Sequence, residues 1–589
     1  MSARRQRAGG RCGRNERLIL WAVLVLWVAC LAPLLTWGLP TRKLDPLLFG
    51  GDDAWRAENY QIDAALEERR HRRAGADVDL NPLAARDELV ELTASEAQRA
   101  EILRRYRLYS RQPDEMITFQ ALQRMNPRAG DLDPRLYQYG GAYIYGVGAA
   151  LGAAKVLGAI ELTADATFYL EHPDAFGRFY VVARSLSLLM GAVALAGVYE
   201  LGRRTAGRAG GWAGLVAAAT MPVLISGVLE AKPHVPSAAM LVWATVFALD
   251  YHARGRGRDA LKLGLASGLA AGLVLTGVAA ALYGLALLIA APAARRGQTA
   301  RHVILAGAVA ALVYAATNPF LVYNVLFARD ALASNVNNSL AMYAEQVRRA
   351  GEGAVRVAQL AAEGAGPLVL LGGLGGLVVL LRRWPRETLV AAAAGVGLTV
   401  LAAFLAAGKP AEFTRFLVLP CLLAASAAAG LVTAVPRRGA WRPVAVACGG
   451  LVLLLGSRCW VYLGAFATDR GLEHEPRHLA GCFLAEHRVP DESIGVMQEP
   501  APYAVPPLDF ARARVVLLPK AAPRVVERDA LPTWLVLTAD GADALSGAWW
   551  LMHYELVRRW PESDADASPI TWASKPTFVF RRVVDGAGT

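Results

Sequence analysis

The chain has 589 residues, of which 55% are hydrophobic and only 19% are charged. With a mean hydropathy of +0.31, it is too apolar for an ordinary soluble enzyme, and we expect the lipid bilayer to be its main solvent. The formal net charge of +12 does not indicate a nucleic-acid partner, because the arginines cluster in short segments between apolar runs, as they do in the cytoplasmic connectors of membrane proteins.

The first apolar run, residues 17–40, follows a basic segment. Because its apolar core is longer than that of a signal peptide and no small-residue cleavage site follows, we predict a retained anchor with residues 1–17 in the cytoplasm. Ten more runs are long enough to cross a bilayer, which gives eleven predicted spans in all. The ten runs are 179–202, 211–229, 235–251, 260–276, 277–294, 302–322, 365–381, 387–407, 413–434 and 443–463.

Residues 139–161 form another apolar run, which we predict to lie along the membrane surface without crossing. Tyrosines cluster at its start and Lys155 interrupts its second half, as is typical of a segment at the lipid headgroups. If this run does not cross, the arginine-rich connectors all fall on the side of the N-terminus, as the positive-inside rule requires. The loop 41–178 and the residues from 464 onward are then extracytoplasmic.

We therefore predict an α-helical polytopic membrane protein. Its transmembrane domain covers residues 18–463 and includes the large first outer loop, and a small extracytoplasmic α/β domain covers residues 464–589. The α/β prediction rests on short apolar stretches that are typical of strands and are separated by helical or loop segments. These stretches are 493–497, 514–518, 534–538 and 577–580.

The first outer loop contains Pro-Asp-Glu at residues 113–115. In isolation this motif is an ordinary helix start, with Asp114 as the N-cap residue. Here, however, the two carboxylates precede the aromatic segment predicted at the bilayer surface, which is the height at which a lipid carrier holds its sugar phosphate. A carboxylate at that height can accept the proton of an attacking hydroxyl group.

Several motifs between about residues 108 and 435 resemble the C-type (GT-C) glycosyltransferases of the protein mannosyltransferase and aminoarabinose transferase group, bacterial membrane enzymes that use polyprenyl-phosphate sugars. These motifs occupy residues 113–115, 125–127, 139–145, 183–185, 199–204, 232–236, 317–320 and 414–416. The resemblance implies that Asp114 is the catalytic base, with Glu115 beside it. We expect Glu115 to orient the acceptor or to bind a metal. A second acidic pair, Asp52 and Asp53, follows the first span, where many relatives place their catalytic Asp, and is the alternative.

Candidate ligands for a lipid phosphate also follow from position alone. Arg184, Lys232, Lys409 and Arg415 fall near the outer ends of predicted spans, where a cation is costly unless its side chain reaches the interface or meets an anion. Snorkelling to the interface explains any one of these cations, but four of them on one face point to an anionic ligand.

Three further residues are candidates for the site. Glu230 and His234 flank Lys232 and are suited to hold a divalent metal or to orient the acceptor, although local pairing with Lys232 explains them as well. Asn318 belongs to the Thr-Asn-Pro-Phe motif at 317–320. The sequence does not decide whether the protein requires a metal, and it indicates no other cofactor.

Residues 474–478 match His-Glu-x-x-His, the zinc-protease signature. That chemistry needs both histidines on one helix face, one turn apart. Pro476 belongs in the first turn of a helix and disfavours helical geometry at the residue before it, so His474 is left outside. We therefore reject the protease interpretation.

The sequence thus predicts a hexosyl- or pentosyltransferase of the cytoplasmic (inner) membrane. Its sugar comes from a polyprenyl-phosphate carrier, and its acceptor is a hydroxyl group of a glycan, lipid or protein on the extracytoplasmic side. A secondary transporter fits a bundle of this size equally well on hydropathy alone. A surface-polysaccharide polymerase or ligase, which differs only in its acceptor, is the third possibility.

Overall fold

The computed structural model describes residues 14–49, 90–94, 96–409, 411–434, 441–497, 505–518, 531–538, 549–570 and 574–583. The chain divides into two compact units. The first, called the helical unit, comprises residues 1–35, 117–153 and 182–463. The second, called the sheet unit, comprises residues 36–116, 154–181 and 464–589.

Helices dominate the described residues. In chain order they are α1 (Arg14–Leu31), α2 (Asp45–Phe49), α3 (Glu96–Leu108), α4 (Met116–Gln123), α5 (Gly141–Val156), α6 (Ala166–Glu171), α7 (Pro173–Ala219), α8 (Pro222–Val228), α9 (His234–Arg254), α10 (Gly257–Leu273), α11 (Ala281–Ala290), α12 (Arg296–Thr317), α13 (Pro319–Phe327), α14 (Asp330–Arg348), α15 (Ala350–Ala365), α16 (Pro367–Arg383), α17 (Pro385–Leu405), α18 (Val418–Ala428), α19 (Trp441–Gly456), α20 (Cys459–Thr468) and α21 (Pro476–His487).

Helix α7 turns back on itself near its middle. Gly207 has a φ of +72°, a conformation that side-chain-bearing residues rarely adopt, and it interrupts the helix together with Ala206. Beyond the break the chain reverses its direction. The ring centroids of Tyr199 and Trp212, on either side of the break, consequently lie 5.2 Å apart. This turn separates the two predicted spans 179–202 and 211–229.

Small residues bring α10 and α12 into close contact. Gly264, Gly268 and Gly272 recur every four residues along one face of α10. A Cβ at Gly264 would lie 2.5 Å from the carbonyl oxygen of Ala306, and a Cβ at Gly268 would lie 2.6 Å from that of Ala310. Such stripes allow helix backbones to approach in bilayers, where packing replaces the hydrophobic effect as the driving force.

Fewer helices in the described structure are long and apolar enough to cross a bilayer than the eleven spans that the sequence predicts. Among the described residues, five helices are long and apolar enough to cross, or up to seven if each of two bent helix pairs forms one span. One bent pair joins α15 and α16 at 108°, and the other joins α19 and α20 at 43°. These helices support an integral membrane protein, while the count of eleven spans remains a prediction.

The run 139–161 forms α5 over most of its length. Tyr143, Ile144 and Val147 are fully buried, so one face of this helix packs against protein. The prediction that α5 lies at the headgroups is compatible with a buried face, but packing alone does not test it.

The sheet unit is built on a six-stranded sheet with the order β1-β3-β2-β4-β6-β5. The central strands β2, β3 and β4 are parallel, whereas β1, β5 and β6 pair antiparallel with their neighbours. The strands are β1 (Val90–Glu91), β2 (Ser493–Met497), β3 (Arg514–Leu518), β4 (Trp534–Thr538), β5 (Tyr554–Trp560) and β6 (Thr577–Arg582). The structure thereby confirms a C-terminal sheet with strands at all four predicted stretches.

Residues from the first loop complete this sheet unit. Strand β1 adds to the edge of β3, and Leu48, Leu92 and Ile102 share a core with Ile494 of β2 and with residues of α21. The compact unit is therefore larger than the predicted domain 464–589, because part of the loop 41–178 supplies its edge strand and the helices α2, α3 and α6.

Truncating the centre of this core should destabilise the sheet unit. Ile494 is fully buried in the parallel part of the sheet, so Ile494→Ala removes packed methyl groups and is expected to cost about 2–5 kcal/mol. Thermal unfolding in detergent, followed by circular dichroism, measures the loss as a lowered Tm. Val489→Ala is the matched control because Val489 is 57% exposed, and an equal Tm for the two variants would contradict the burial of Ile494.

Candidate active site

The Pro-Asp-Glu motif forms a short 3-10 turn, residues 113–115, directly before α4. Gln112 is its N-cap residue, and the side-chain carbonyl of Gln112 accepts a hydrogen bond from the backbone N–H of Asp114 at 3.3 Å. The sequence-based assignment of Asp114 as N-cap is therefore wrong, because the proline places the cap one residue before itself.

The two acids of this turn have different surroundings. Glu115 is fully buried and accepts a hydrogen bond from the Ser110 hydroxyl at 2.5 Å. Asp114 is half-buried. A buried, hydrogen-bonded Glu115 is suited to hold the turn in place, while Asp114 is the acid that retains access to solvent or a ligand.

The second group of candidates lies in the helical unit, at the junction between α8 and α9. Lys232 and Glu230 form an ion pair at 3.1 Å, with 3% and 13% of their side chains exposed. The expected local pairing of Lys232 thus involves Glu230. His234 begins α9 and contacts aromatic rings, with centroid distances of 6.3 Å to Tyr139 and 5.3 Å to Phe416.

Lys409 and Arg415 lie in the connector between α17 and α18, and both are half-buried. The Lys409 ammonium is 5.1 Å from the ring centroid of Phe413, and the Arg415 guanidinium is 5.3 Å from the same ring and 5.5 Å from that of Phe416. The two phenylalanine rings are themselves 5.2 Å apart. Lys409, Phe413, Arg415, Phe416 and His234 therefore form one continuous group, called the cation–aromatic cluster.

Arg184 has a different setting within the same unit. Its side chain is fully buried, and it donates a hydrogen bond to the carbonyl of Leu35 at 2.7 Å. Ser187, one turn further along α7, lies 3.4 Å from the carbonyl of Lys232. Arg184 thus ties the end of the first span to α7 close to the 230–234 junction.

Asn318 has a structural explanation. Its side-chain oxygen accepts the backbone N–H of Gly141 at 2.7 Å, and its side-chain nitrogen donates to the carbonyl of Tyr314 at 3.1 Å. The amide therefore joins the start of α5 to the end of α12, so a role in holding these two helices accounts for the residue.

Sequence reasoning missed a polar group around the loop before α5. The Tyr137 hydroxyl donates to Asp133 at 2.5 Å, and the Asn324 side chain donates to the other oxygen of Asp133 at 3.0 Å. Burial raises the pKa of Tyr137, and its hydrogen bond with Asp133 raises it further. Tyr137, just before the 139–161 segment, therefore helps to fix this loop.

No three His, Cys, Asp or Glu side chains among the described residues converge in a way that would hold a metal ion. The His-Glu-x-x-His match is not helical at its start, because α21 begins at Pro476 with Glu475 as its extended N-cap residue. This confirms the prediction made from Pro476. The alternative acids, Asp52 and Asp53, lie outside the described residues.

Glu475 belongs to an ion-pair network in the sheet unit. It lies 3.2 Å from Arg111 and 2.5 Å from Arg477. Burial acts to raise the pKa of Glu475, but the two guanidinium groups outweigh it and the pKa is lowered. For the neighbouring Asp469, burial dominates and raises the pKa, even though Arg111 and Ser574 act to lower it.

A comparison with known protein families matches a middle part of the chain. A family model described as dolichyl-phosphate-mannose-protein mannosyltransferase matches residues 175–323. No curated protein sequence matches the chain.

Two solved structures match most of this chain at low sequence identity. The crystal structure of ArnT from Cupriavidus metallidurans bound to undecaprenyl phosphate is 14% identical, with a TM-score of 0.40, over 90% of this chain and 99% of that one. The archaeal oligosaccharyltransferase AglB from Archaeoglobus fulgidus, in complex with an inhibitory peptide and a dolichol-phosphate, is 12% identical, with a TM-score of 0.42, over 87% of this chain and 75% of that one. Over residues 175–323 the chain thus matches the dolichyl-phosphate-mannose-protein mannosyltransferase family, which confirms the resemblance that its motifs indicate.

Proposed function

We propose that the chain is a membrane glycosyltransferase that transfers a sugar from a polyprenyl-phosphate carrier to an acceptor hydroxyl on the extracytoplasmic side. The observation that carries this proposal is the cation–aromatic cluster. In this cluster two half-buried cations lie beside two phenylalanine rings in the connector between the apolar helices α17 and α18. The match of residues 175–323 to a family of lipid-phosphate-sugar enzymes supports the same conclusion.

The cluster suits a lipid phosphate on chemical grounds. Cation–π contacts with Phe413 contribute about 0.5–1 kcal/mol each at exposed sites and orient the Lys409 and Arg415 side chains. Two neighbouring cations suit a phosphate group, and Arg can bind two of its oxygens at once. The apolar rings suit the polyprenyl chain beside that phosphate.

The transfer itself needs few groups. The acceptor oxygen attacks the anomeric carbon, the bond from that carbon to the phosphate oxygen breaks, and the polyprenyl phosphate leaves with the electron pair. The Asp114 carboxylate accepts the proton of the acceptor hydroxyl. Lys409 and Arg415 stabilise the negative charge that develops on the leaving phosphate, while Lys232 and Arg184 stand as further candidates for the donor site.

Glu115 and Glu230 have supporting parts in this proposal. Glu115 keeps the Asp114 turn in shape through its hydrogen bond with Ser110. Glu230 compensates the charge of buried Lys232. His234, which lies between the rings of Tyr139 and Phe416, is our candidate for orienting the acceptor.

A secondary transporter is the second candidate, and one observation favours it. Residues 229–233 interrupt the helical path between α8 and α9 and hold the buried pair of Lys232 and Glu230, and broken helices with buried charges are typical of transport sites. Lys409 and Arg415 favour the transferase instead, because they lie in the connector between α17 and α18, beyond the ends of both apolar helices. A polysaccharide polymerase or ligase shares the donor and differs in the acceptor.

Cells with and without the protein give the first test of the proposal. A transferase of this kind should leave a sugar missing from one class of surface glycan, glycolipid or glycoprotein when it is deleted, and the carrier lipid should retain that sugar. An unchanged set of surface glycoconjugates, together with loss of uptake of a solute, would support the transporter.

The predicted sidedness is testable by cysteine labelling in a background without native cysteines. Lys155→Cys and Ala511→Cys should react with a membrane-impermeant maleimide in intact cells, because the parity of the spans places both outside. Ala209→Cys, beside the turn of α7, should react only after permeabilisation. Labelling of Ala209→Cys in intact cells would overturn the topology.

A further inference from the structure

Arg111 lies three residues before Asp114 and is buried in the sheet unit. Its guanidinium is 3.2 Å from the Glu475 carboxylate and 3.6 Å from that of Asp469, and it donates to the carbonyl of Gly471 at 2.8 Å. One side chain therefore joins the segment that carries Pro-Asp-Glu to the segment 469–475, which leads into α21.

The backbone of Arg111 makes a second connection. Its N–H donates to the carbonyl of Gly38 at 2.8 Å, and the N–H of Gly38 donates to the carbonyl of Asp469 at 3.0 Å. Gly38 has a φ of +55°, and a Cβ there would lie 2.9 Å from the Cβ of Arg111. Only glycine fits this close approach without strain. Three chain segments thus meet at Arg111.

The partners of Arg111 are fixed in turn. Glu475 also pairs with Arg477 at 2.5 Å, and the Ser574 hydroxyl lies 2.8 and 2.9 Å from the two oxygens of Asp469. Two guanidinium groups face two carboxylates, so the group is neutral although it is almost fully buried. Buried ion pairs of this kind contribute little net stability, but they specify geometry because a displaced charge is left without a partner.

The connection from Arg111 to Asp114 is short and stiff. Gln112 caps the intervening turn, and Ser110 bonds Glu115, so the residues on both sides of Arg111 belong to the same hydrogen-bonded turn. A shift of the guanidinium therefore moves the turn as a body. Because a displacement of about 1 Å can slow an enzymatic reaction about 100-fold, such a restraint bears directly on catalysis.

We propose that Arg111 is a positioning residue, through which Glu475 and Asp469 of the C-terminal segment hold the Asp114 turn in its working geometry. Glu475, the glutamate of the His-Glu-x-x-His match, then helps to fix the position of Asp114 through its ion pair with Arg111. This inference rests on the proposed function for its catalytic consequence, whereas the anchoring itself is independent of it.

The first arm of the test is hydrogen–deuterium exchange of residues 108–119 in the full-length protein. Glu475→Gln and Arg111→Lys should exchange these amides faster than wild type, with the rest of the sheet unit unchanged. Glu101→Gln is the matched control, since Glu101 is a buried carboxylate that also pairs with two guanidinium groups, those of Arg104 and Arg105. Equal protection of 108–119 in wild type and Glu475→Gln would overturn the proposal.

The second arm is turnover of an undecaprenyl-phosphate-linked sugar that the wild type consumes in proteoliposomes. For Glu475→Gln and Arg111→Lys we expect kcat to fall about 10- to 100-fold while the donor KM stays the same, after normalising to protein that binds undecaprenyl phosphate. In Glu101→Gln the normalised kcat should equal that of wild type. If the amides of residues 108–119 exchange faster in the two variants while kcat stays unchanged, the positioning role of Arg111 is also overturned.

The two arms separate this inference from the proposed function. If the wild type consumes no such donor, the proposed function fails, and the exchange arm alone decides whether Arg111 anchors the turn. If the donor is consumed and both variants behave like wild type, the inference fails and the function stands.

Discussion

Asp114→Asn is expected to slow sugar transfer by about 10²–10⁴-fold, the range by which a positioned general base accelerates proton transfer. The amide keeps the size of the side chain and its place in the 3-10 turn, but it cannot accept the acceptor's proton. The measurement is release of undecaprenyl phosphate from an undecaprenyl-phosphate-linked sugar in proteoliposomes. Binding of undecaprenyl phosphate should be unchanged, since the proposed phosphate ligands belong to the helical unit.

Asp491→Asn is the control for this variant, because Asp491 is an exposed acid in a turn of the sheet unit with no part in the proposed reaction. It should retain the wild-type rate. Full activity of Asp114→Asn would place the base elsewhere, and Asp52 and Asp53 would be the next acids to replace.

Loss of the two cations in the α17–α18 connector should weaken the protein's hold on a lipid phosphate. Hydrogen bonds to charged groups contribute about 1.5–3 kcal/mol, so Lys409→Gln and Arg415→Gln should each raise the Kd for undecaprenyl phosphate about 10- to 100-fold. The aromatic rings remain, so an uncharged polyprenol should bind as it does to wild type. Tryptophan fluorescence during titration with each lipid measures the difference.

Arg558→Gln provides the matched control for a general effect of charge. Arg558 is an exposed cation paired with Glu562 in the sheet unit, within the predicted extracytoplasmic domain 464–589. Its Kd should equal that of wild type. If Arg558→Gln weakens binding as much as Arg415→Gln does, the phosphate responds to overall charge and the cation–aromatic cluster is not its site.

The C-terminal sheet was predictable where strands are buried and apolar. Trp534–Thr538 is buried throughout, and its run of apolar residues is typical of a central parallel strand. Strand β5 was missed because most of its side chains are exposed and two are arginines, so it has no apolar pattern. Strand β1 has two residues and pairs with a strand more than 400 positions away, which no local pattern encodes.

Sequence analysis identified the candidate site residues, but it did not identify the residues that they contact. Position near a predicted span end singled out Lys409 and Arg415 because an unpaired cation is costly there. That both stack on Phe413 and that His234 meets Tyr139 depends on tertiary packing between distant segments. Similarly, Pro476 excluded a zinc helix from sequence alone, but the pairing of Glu475 with Arg111 became visible only in the folded chain.

The count of spans illustrates another limit of sequence. Hydropathy windows detect apolar length and not backbone geometry. They separated the apolar runs on either side of Gly207, but the 108° bend between α15 and α16 has no signature in a window average. Small residues at helix contacts, such as the glycine stripe of α10, also lower apparent hydropathy where packing is tightest.

The most direct test of sugar transfer follows the sugar and the lipid together. Wild-type protein in proteoliposomes is given undecaprenyl-phosphate-linked hexoses and pentoses, nucleotide sugars, and an envelope extract as acceptor. We expect one lipid donor to be consumed, with one undecaprenyl phosphate released for each sugar attached to the acceptor, while nucleotide sugars remain. Consumption of a nucleotide sugar, or movement of a solute across the bilayer with every lipid donor intact, would contradict the proposed function.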